Sequence, residues 1–209
     1  WYTFIQLHSE YANLYFNYLV MDKESNVYFT KDFIIKVGFI ILNCLLTIAH
    51  QIIYRYEPSS DSLRYIELAN QYSEFNFFDP VTNCYGHSIY ALFLLVFGKI
   101  FSFNQFVIGI VQSIIFSIFT LGLVSELEKI HHKKLYSILL LVPFIPQIYF
   151  YNGYILTESL SFSLIIFAFY LALKIYRSHA RHYVIGLAFV ISINILNRIE
   201  TAVIIFPLM

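Results

Sequence analysis

The sequence predicts an all-α fold, a polytopic bundle of transmembrane helices with shorter helices lying along its outer face. Three observations carry that prediction. Hydrophobic residues make up 59% of the 209, and only 12% are charged. Phenylalanine and tyrosine alone supply 22 and 18 residues. Apolar runs almost without charge recur along the chain, several of them near the roughly 20 residues that cross a bilayer core. A soluble chain of this size cannot bury so much apolar surface, so lipid is the expected solvent. The net charge is zero, and no nucleic-acid partner is expected.

The elements follow in order. Residues 1–32 form an N-terminal segment, interfacial or cytoplasmic. Phe4, Leu7, Tyr11, Leu14, Tyr15 and Tyr18 outline one apolar helix face, as an interfacial helix requires. Residues 1–20 hold no Lys or Arg, so part of an earlier span is an equal alternative. The start "WYTFIQLHSEYANLYF" lacks the basic start and cleavage site of a signal peptide. The chain opens at Trp1 and closes inside the apolar run "VIIFPLM", so a piece of a longer membrane protein, truncated at its C-terminus, is expected.

Residues 33–209 form the membrane region. The runs 33–54 ("FIIKVGFIILNCLLTIAHQIIY") and 104–125 are long enough to cross at 1.5 Å per residue. Those at 135–151 and 159–176 are near the lower limit, with Pro143 and Pro146 expected to kink the former. Residues 183–196 read as a fifth span and 201–209 as the start of a sixth, divided by the polar step "NRIE". Cys44 falls within a span and Cys84 in a loop, which argues against a disulfide.

The segment 86–101 ("GHSIYALFLLVFGKIF") decides the topology. Nine of the thirteen Lys and Arg lie in three clusters: Lys23, Lys31 and Lys36; Lys129, Lys133 and Lys134; Lys174, Arg177 and Arg181. All three fall on one side, the cytoplasmic one, only if 86–101 lies on the surface. Residues 55–103 then become one large outer loop, with Glu57, Asp61, Glu67, Glu74 and Asp79 against Arg55, Arg64 and Lys99. Glu158, Arg198 and Glu200 share that outer face.

Two acids stand out as candidates for chemistry. In "DSLRYIELA", Asp61, Tyr65 and Leu68 fall on one helix face, with Arg64 beside it. The plainer reading makes Ser60 or Asp61 a helix N-cap. Glu158 opens the fourth span at the membrane boundary, where an ionisable group needs a partner or water. Its plainer reading is a first-turn acid behind a Thr157 or Ser159 cap. Arg198 and Glu200 read either as functional or as a mutual salt bridge across a turn. His131 and His132 are expected in solvent, and His87 meets either a phosphate or only the interface.

The pieces "DSLRYIELA" (61–69), "GHSIYALFLLVFG" (86–98), "YNGYILTESLSFSLIIFAFYLAL" (151–173) and "GLAFVISINILNRIETAVIIFPL" (186–208) occur in a telling order. That order, over residues 33–209, resembles the GT-C membrane glycosyltransferases, above all protein O-mannosyltransferases and lipid A aminoarabinose transferases. The resemblance implies an inverting transfer of a sugar from a polyprenyl-phosphate donor to a lipid, glycan or protein hydroxyl at the outer face of a bacterial plasma membrane. It makes Asp61 the general base, Glu158 a second outer acid and Arg198 a donor-binding cation, with Tyr65 beside them. One departure stands out. Where family members carry Arg or Lys before two prolines, this chain reads "VTNCYGH", so Arg64, Arg198 or His87 would have to hold the lipid phosphate. No cofactor is required by these residues, though a divalent cation is compatible with them. Asp61 and Glu158 are then expected within about one sugar of each other, roughly 6–12 Å. The alternatives are a polysaccharide polymerase, and a lipid-linked glycan flippase or transporter.

Overall fold

A computed structural model of the protein describes residues 31–54, 59–74, 88–198 and 201. The chain divides into two compact units, Trp1–Gly38 and Phe39–Met209. The described part of the first is the opening of helix α1 (Lys31–Tyr54), where Lys36 Nζ meets Asp32 Oδ2 at 2.6 Å.

Every described element of the second unit is helical. After α1 come α2 (Ser60–Ser73), α3 (Ser88–Phe93) with a π-helical turn Leu94–Gly98, and α4 (Gln105–His131). A broken segment follows, made of α5 (Tyr136–Leu141), a 3-10 turn Val142–Phe144 and α6 (Pro146–Gly153). Helices α7 (Thr157–Ser178) and α8 (Arg181–Asn197) complete the unit. Helices α1, α4 and α7, of 24, 27 and 22 residues, are long and apolar enough to cross a membrane.

The bundle carries its polar residues inward, as helices in hydrocarbon do. Asn43, Thr47 and Gln51 repeat every four residues along α1 and all are buried. Thr47 Oγ1 lies 2.8 Å from Ser113 Oγ of α4. Gln51 Nε2 donates to the carbonyls of Gln105 and Gly153, at 3.1 and 2.8 Å. These bonds run α1 antiparallel to α4 and join both to the end of α6. Gly109 lets the three meet: a Cβ there would lie 2.7 Å from Gln51 Nε2 and 2.9 Å from the Asn152 carbonyl.

Capping explains the ends of the long helices. Asn104 Oδ1 accepts from the backbone N–H of Phe106 and Val107 to open α4. His132 and His179 close α4 and α7 in the left-handed region, each at φ 52°. Histidine is among the few non-glycine residues enriched there.

The expected kink at Pro143 and Pro146 is a full break. Pro143 sits in the 3-10 turn, and Pro146 opens α6 after an extended Ile145. A residue before proline is pushed out of the helical region, so two helices replace one. They return the chain across the bundle, leaving α4 and α7 parallel. α7 and α8 are antiparallel: Ser161 Oγ donates to Asn194 Oδ1 at one end (2.7 Å), and Lys174 stands over Tyr183 at the other.

Helix α3 with its π turn spans eleven residues, about 16 Å of rise and half of a bilayer core. Its buried partners Tyr65, Ala69, Ile108 and Ile155 lie on α2, the first turn of α4 and the link into α7. It packs against one end of the bundle, not along it.

Candidate functional site

Helix α2 begins with a cap at Ser59, whose Oγ accepts from the Ser62 N–H at 3.1 Å. Neither Ser60 nor Asp61 caps it. The face that docks is Ser62, Tyr65, Leu68, Ala69 and Tyr72, one residue round from the face read in the sequence. Ser62 Oγ donates to the Ile155 carbonyl at 3.1 Å. A small hydroxyl satisfies that carbonyl in a tight contact, where a carboxylate would be buried against it. Asp61 and Arg64 therefore stand on the exposed flank of the helix.

Tyr65 is buried and joins the two polar segments. Its ring meets Tyr90 edge-on at 5.3 Å, and its hydroxyl shares a hydrogen bond with Thr157. Burial raises the Tyr65 pKa above the usual phenol value. Thr157 opposes the rise, the charges of Asp61 and Glu158 add to it, and Arg198 opposes it. Asp61, Glu158 and Arg198 are thus all within electrostatic range of one hydroxyl. Behind Tyr65, Tyr90 is fully buried, and burial pushes its hydroxyl well up, with Gln112 pulling back. The Gln112 amide fits best with its oxygen accepting from Tyr90 (3.0 Å) and its nitrogen donating to the carbonyls of Asn152 and Tyr154 (3.1 Å each).

Glu158 has a partner that its plainer reading lacks. Helix α7 has Leu156 at its N-cap with no side-chain cap bond, so neither Thr157 nor Ser159 caps it. Thr157 Oγ1 instead donates to Glu158 Oε2 at 3.3 Å, and Ser159 Oγ donates to Asn152 Oδ1 at 2.6 Å. Arg198 Nη1 forms an ion pair with Glu158 Oε1, each side chain 27% exposed. The anticipated pairing of Arg198 with Glu200 falls on a residue outside the described ones.

Buried amides hold Arg198 there. Asn197 Nδ2 donates to the Thr157 carbonyl and to Ser161 Oγ, both at 3.1 Å. Thr201 Oγ1 donates to the carbonyls of Asn194 and Arg198, at 3.1 and 2.6 Å. The end of α8 is tied to the first turns of α7 before the ion pair is counted.

Glu158 and Arg198 line a cleft of about 280 Å³ with Tyr151, Ser161, Phe162 and Thr201. Tyr151 and Phe162 also wall an apolar groove of about 330 Å³ between α4, the broken segment and α7. Thr120 and Asn152 line that groove, both nearly fully buried, and among the described residues Thr120 Oγ1 and Asn152 Nδ2 have no hydrogen-bond partner. An ionic cleft thus opens beside an apolar groove, a suitable surround for an amphiphile.

Of the residues singled out in the sequence, Asp61, Tyr65, Glu158 and Arg198 come together at one end of the bundle. Only Glu158 and Arg198 line the cleft. Arg64 stands on the exposed flank of α2, and His87 lies outside the described residues. Asn194 and Asn197 escaped sequence reasoning, and Thr157 entered it only as a candidate cap. Their signal was a run of small polar residues on otherwise apolar helices, at spacings that share a face. Among the described residues, no three or more of His, Cys, Asp or Glu converge as a metal site would need.

The fold and site together define an all-helical bundle with three helices suited to a bilayer and an ionic cleft at one end. Comparison with protein-family models, curated proteins and solved structures found no match.

Proposed function

We propose that the chain is the membrane region of a glycosyltransferase that moves a sugar from a polyprenyl-phosphate donor to an acceptor hydroxyl. The observation that carries this reading is the Glu158–Arg198 cleft opening beside the apolar groove, with Asp61 one turn from Tyr65 on α2. A polyprenyl-phosphate sugar needs a groove for its tail, a cation for its departing phosphate and a carboxylate for the acceptor proton.

In this reading Asp61, on the open flank of α2, accepts the proton from the incoming hydroxyl. The hydroxyl oxygen attacks the anomeric carbon, the bond to phosphate oxygen breaks, and the lipid phosphate leaves with the electron pair. Arg198 meets that phosphate, and Glu158 keeps the guanidinium in place. Tyr65 fixes α2 against Thr157, holding the acid at the mouth.

The basic ends of α4 and α7 favour the same arrangement. Lys129, Lys174 and Arg177 converge on Glu126, so both clusters occupy one end of the bundle and the cleft the other. By the positive-inside rule the cleft then faces outward.

The test is transfer of labelled sugar from a lipid-phosphate donor by membranes carrying the chain in its complete protein. Asp61→Asn should keep the fold and lower the rate about 10²–10⁴-fold. Because Ser59 is the cap, the substitution leaves the capping bond intact. Unchanged transfer would refute the role of Asp61. No transfer by the intact protein from any such donor would favour a flippase or transporter.

A further inference from the structure

The end of the bundle opposite the cleft carries a second charged centre. Glu126 lies twenty-one residues along α4 from Gln105, about 30 Å or one bilayer core away. Its side chain is 2% exposed. Oε1 accepts from Lys129 Nζ at 2.7 Å and Lys174 Nζ at 3.1 Å, and Oε2 accepts from Arg177 Nε at 3.0 Å. One buried anion faces three cations.

These cations differ in how far they are used. Lys174 is 15% exposed and lies 5.6 Å from the centres of the Tyr170 and Tyr183 rings, so carboxylate and π-faces enclose it. Lys129 and Arg177 are 49% and 42% exposed. Arg177 meets Glu126 through Nε, which leaves both η nitrogens on the outer edge of its planar fork, the geometry suited to phosphate. The shared carboxylate holds the two open cations side by side, so little rotamer freedom remains to be lost on binding.

Among the described residues the charge is also out of balance. The C-terminal dipoles of α4 and α7 supply about half a negative charge each, which offsets only part of the excess. Lys133, exposed in the turn after α4, and Arg181, exposed at the start of α8, add to it again. Glu128 is engaged elsewhere, with Lys134 Nζ at 3.3 Å and the Leu135 N–H at 2.9 Å. Tyr176, 73% exposed one residue before Arg177, is the kind of aromatic anchor that sits at headgroup depth. The anion abundant at that depth is a lipid phosphate.

We propose that Lys129 and Arg177, held side by side on Glu126, form a binding site for the phosphate of an anionic phospholipid at the basic end of the bundle. The bound lipid balances the excess charge and anchors the parallel ends of α4 and α7 to an anionic leaflet.

The test places the full chain in nanodiscs of phosphatidylcholine with a minor fraction of phosphatidylglycerol, and measures by mass spectrometry which lipid stays with the released protein. Phosphatidylglycerol should be enriched. At about fivefold per interfacial cation, the double variant Lys129→Gln/Arg177→Gln should lower the enrichment roughly 25-fold. Lys133→Gln/Lys134→Gln removes the same charge outside the Glu126 cluster and should keep most of it. Equal losses in the two variants would reduce the effect to a diffuse field and overturn the site, as would no enrichment in the unaltered protein. Displacement of the lipid by millimolar inorganic phosphate would overturn the lipid assignment in favour of a free-phosphate site. If the double variant does not incorporate, Arg177→Lys keeps the charge but loses the fork. An undiminished enrichment with that variant would also overturn the proposal.

Discussion

Helix α7 has a charged centre at each end, and the two are built on opposite plans. At its start, Glu158 and Arg198 form an ion pair, each partly exposed, beside a cleft of about 280 Å³. Sixteen residues on, about 24 Å away, Lys174 joins two other cations on a carboxylate that is almost sealed. The first centre has room beside it. The second is crowded and carries surplus charge. A partly exposed pair of this kind contributes about 1 kcal/mol or less to stability, so its geometry is free to serve a ligand. A sealed carboxylate costs several kcal/mol to bury and is kept only because its partners are in place. The partly exposed pair leaves room for a ligand; the sealed carboxylate locks α4 to α7.

The largest effect expected from this contrast is on turnover. Glu158→Gln removes the charge that holds Arg198, and sugar transfer should fall about 10²-fold or more, in the range of a lost transition-state electrostatic contact. The melting temperature should barely move. A drop in thermal stability matching that of a buried-charge variant would erase the distinction between the two ends.

Next comes the reverse case. Glu126→Ala leaves three cations without their anion and should destabilise the bundle by about 3–5 kcal/mol, read as a lower unfolding temperature in detergent. Transfer per folded molecule should stay within about twofold. Loss of activity in the folded fraction would mean that the basic end takes part in the chemistry.

A smaller effect tests packing near the cleft. Gly109→Ala would set a methyl group 2.7 Å from Gln51 Nε2 and 2.9 Å from the Asn152 carbonyl. The side chain has some freedom to shift and the backbone has little. A loss of about 1–3 kcal/mol, typical of overpacking, is expected from denaturation. No loss would mean that α1, α4 and α6 meet less closely than described.

The smallest effect is one of pH. Tyr65 and Tyr90 have their pKa values raised by burial, so the folded state favours the neutral phenols. Their contribution is fully present below the ordinary phenol value near 10 and is lost as pH rises through the higher folded values. The contacts of α2 and α3 should therefore hold from neutral to about pH 10 and loosen above it, followed by proteolysis of the 55–103 region. Tyr90→Phe should reduce that alkaline loss. A transition at acidic pH in this region would contradict the assignment.

How legible the molecule was in its sequence differs between elements. α1, α4 and α7 could be read directly, because a run of about 20 apolar residues has few alternatives to a long helix in lipid. Segment 86–101 was expected from the basic clusters to lie on the surface; the structure shows that its helix, Ser88–Gly98, has eleven residues and packs against α2, the start of α4 and the link into α7. The break at Pro143 and Pro146 was read as a kink, because a local rule foresees a lost hydrogen bond but not how neighbouring helices accommodate it. Asp61 was placed near Tyr65 by helix spacing, while the docking face proved to be that of Ser62. That choice belongs to a carbonyl of Ile155, ninety-three residues away.

The sequence by itself determined that this protein is helical and suited to lipid, where its long helices run, and which acids stand at their ends. Those properties follow from composition and local periodicity, which act over a few turns. Only the tertiary structure decided that Arg198 pairs with Glu158, that Thr157 joins Tyr65 to that pair, and that Glu126 gathers cations from two helices. These contacts join residues up to ninety or more positions apart, and no local pattern encodes which of several like charges will meet. The selection is made by packing. Once Gly109, Asn194 and Asn197 bring the helices into register, each buried charge takes the partner left within its reach.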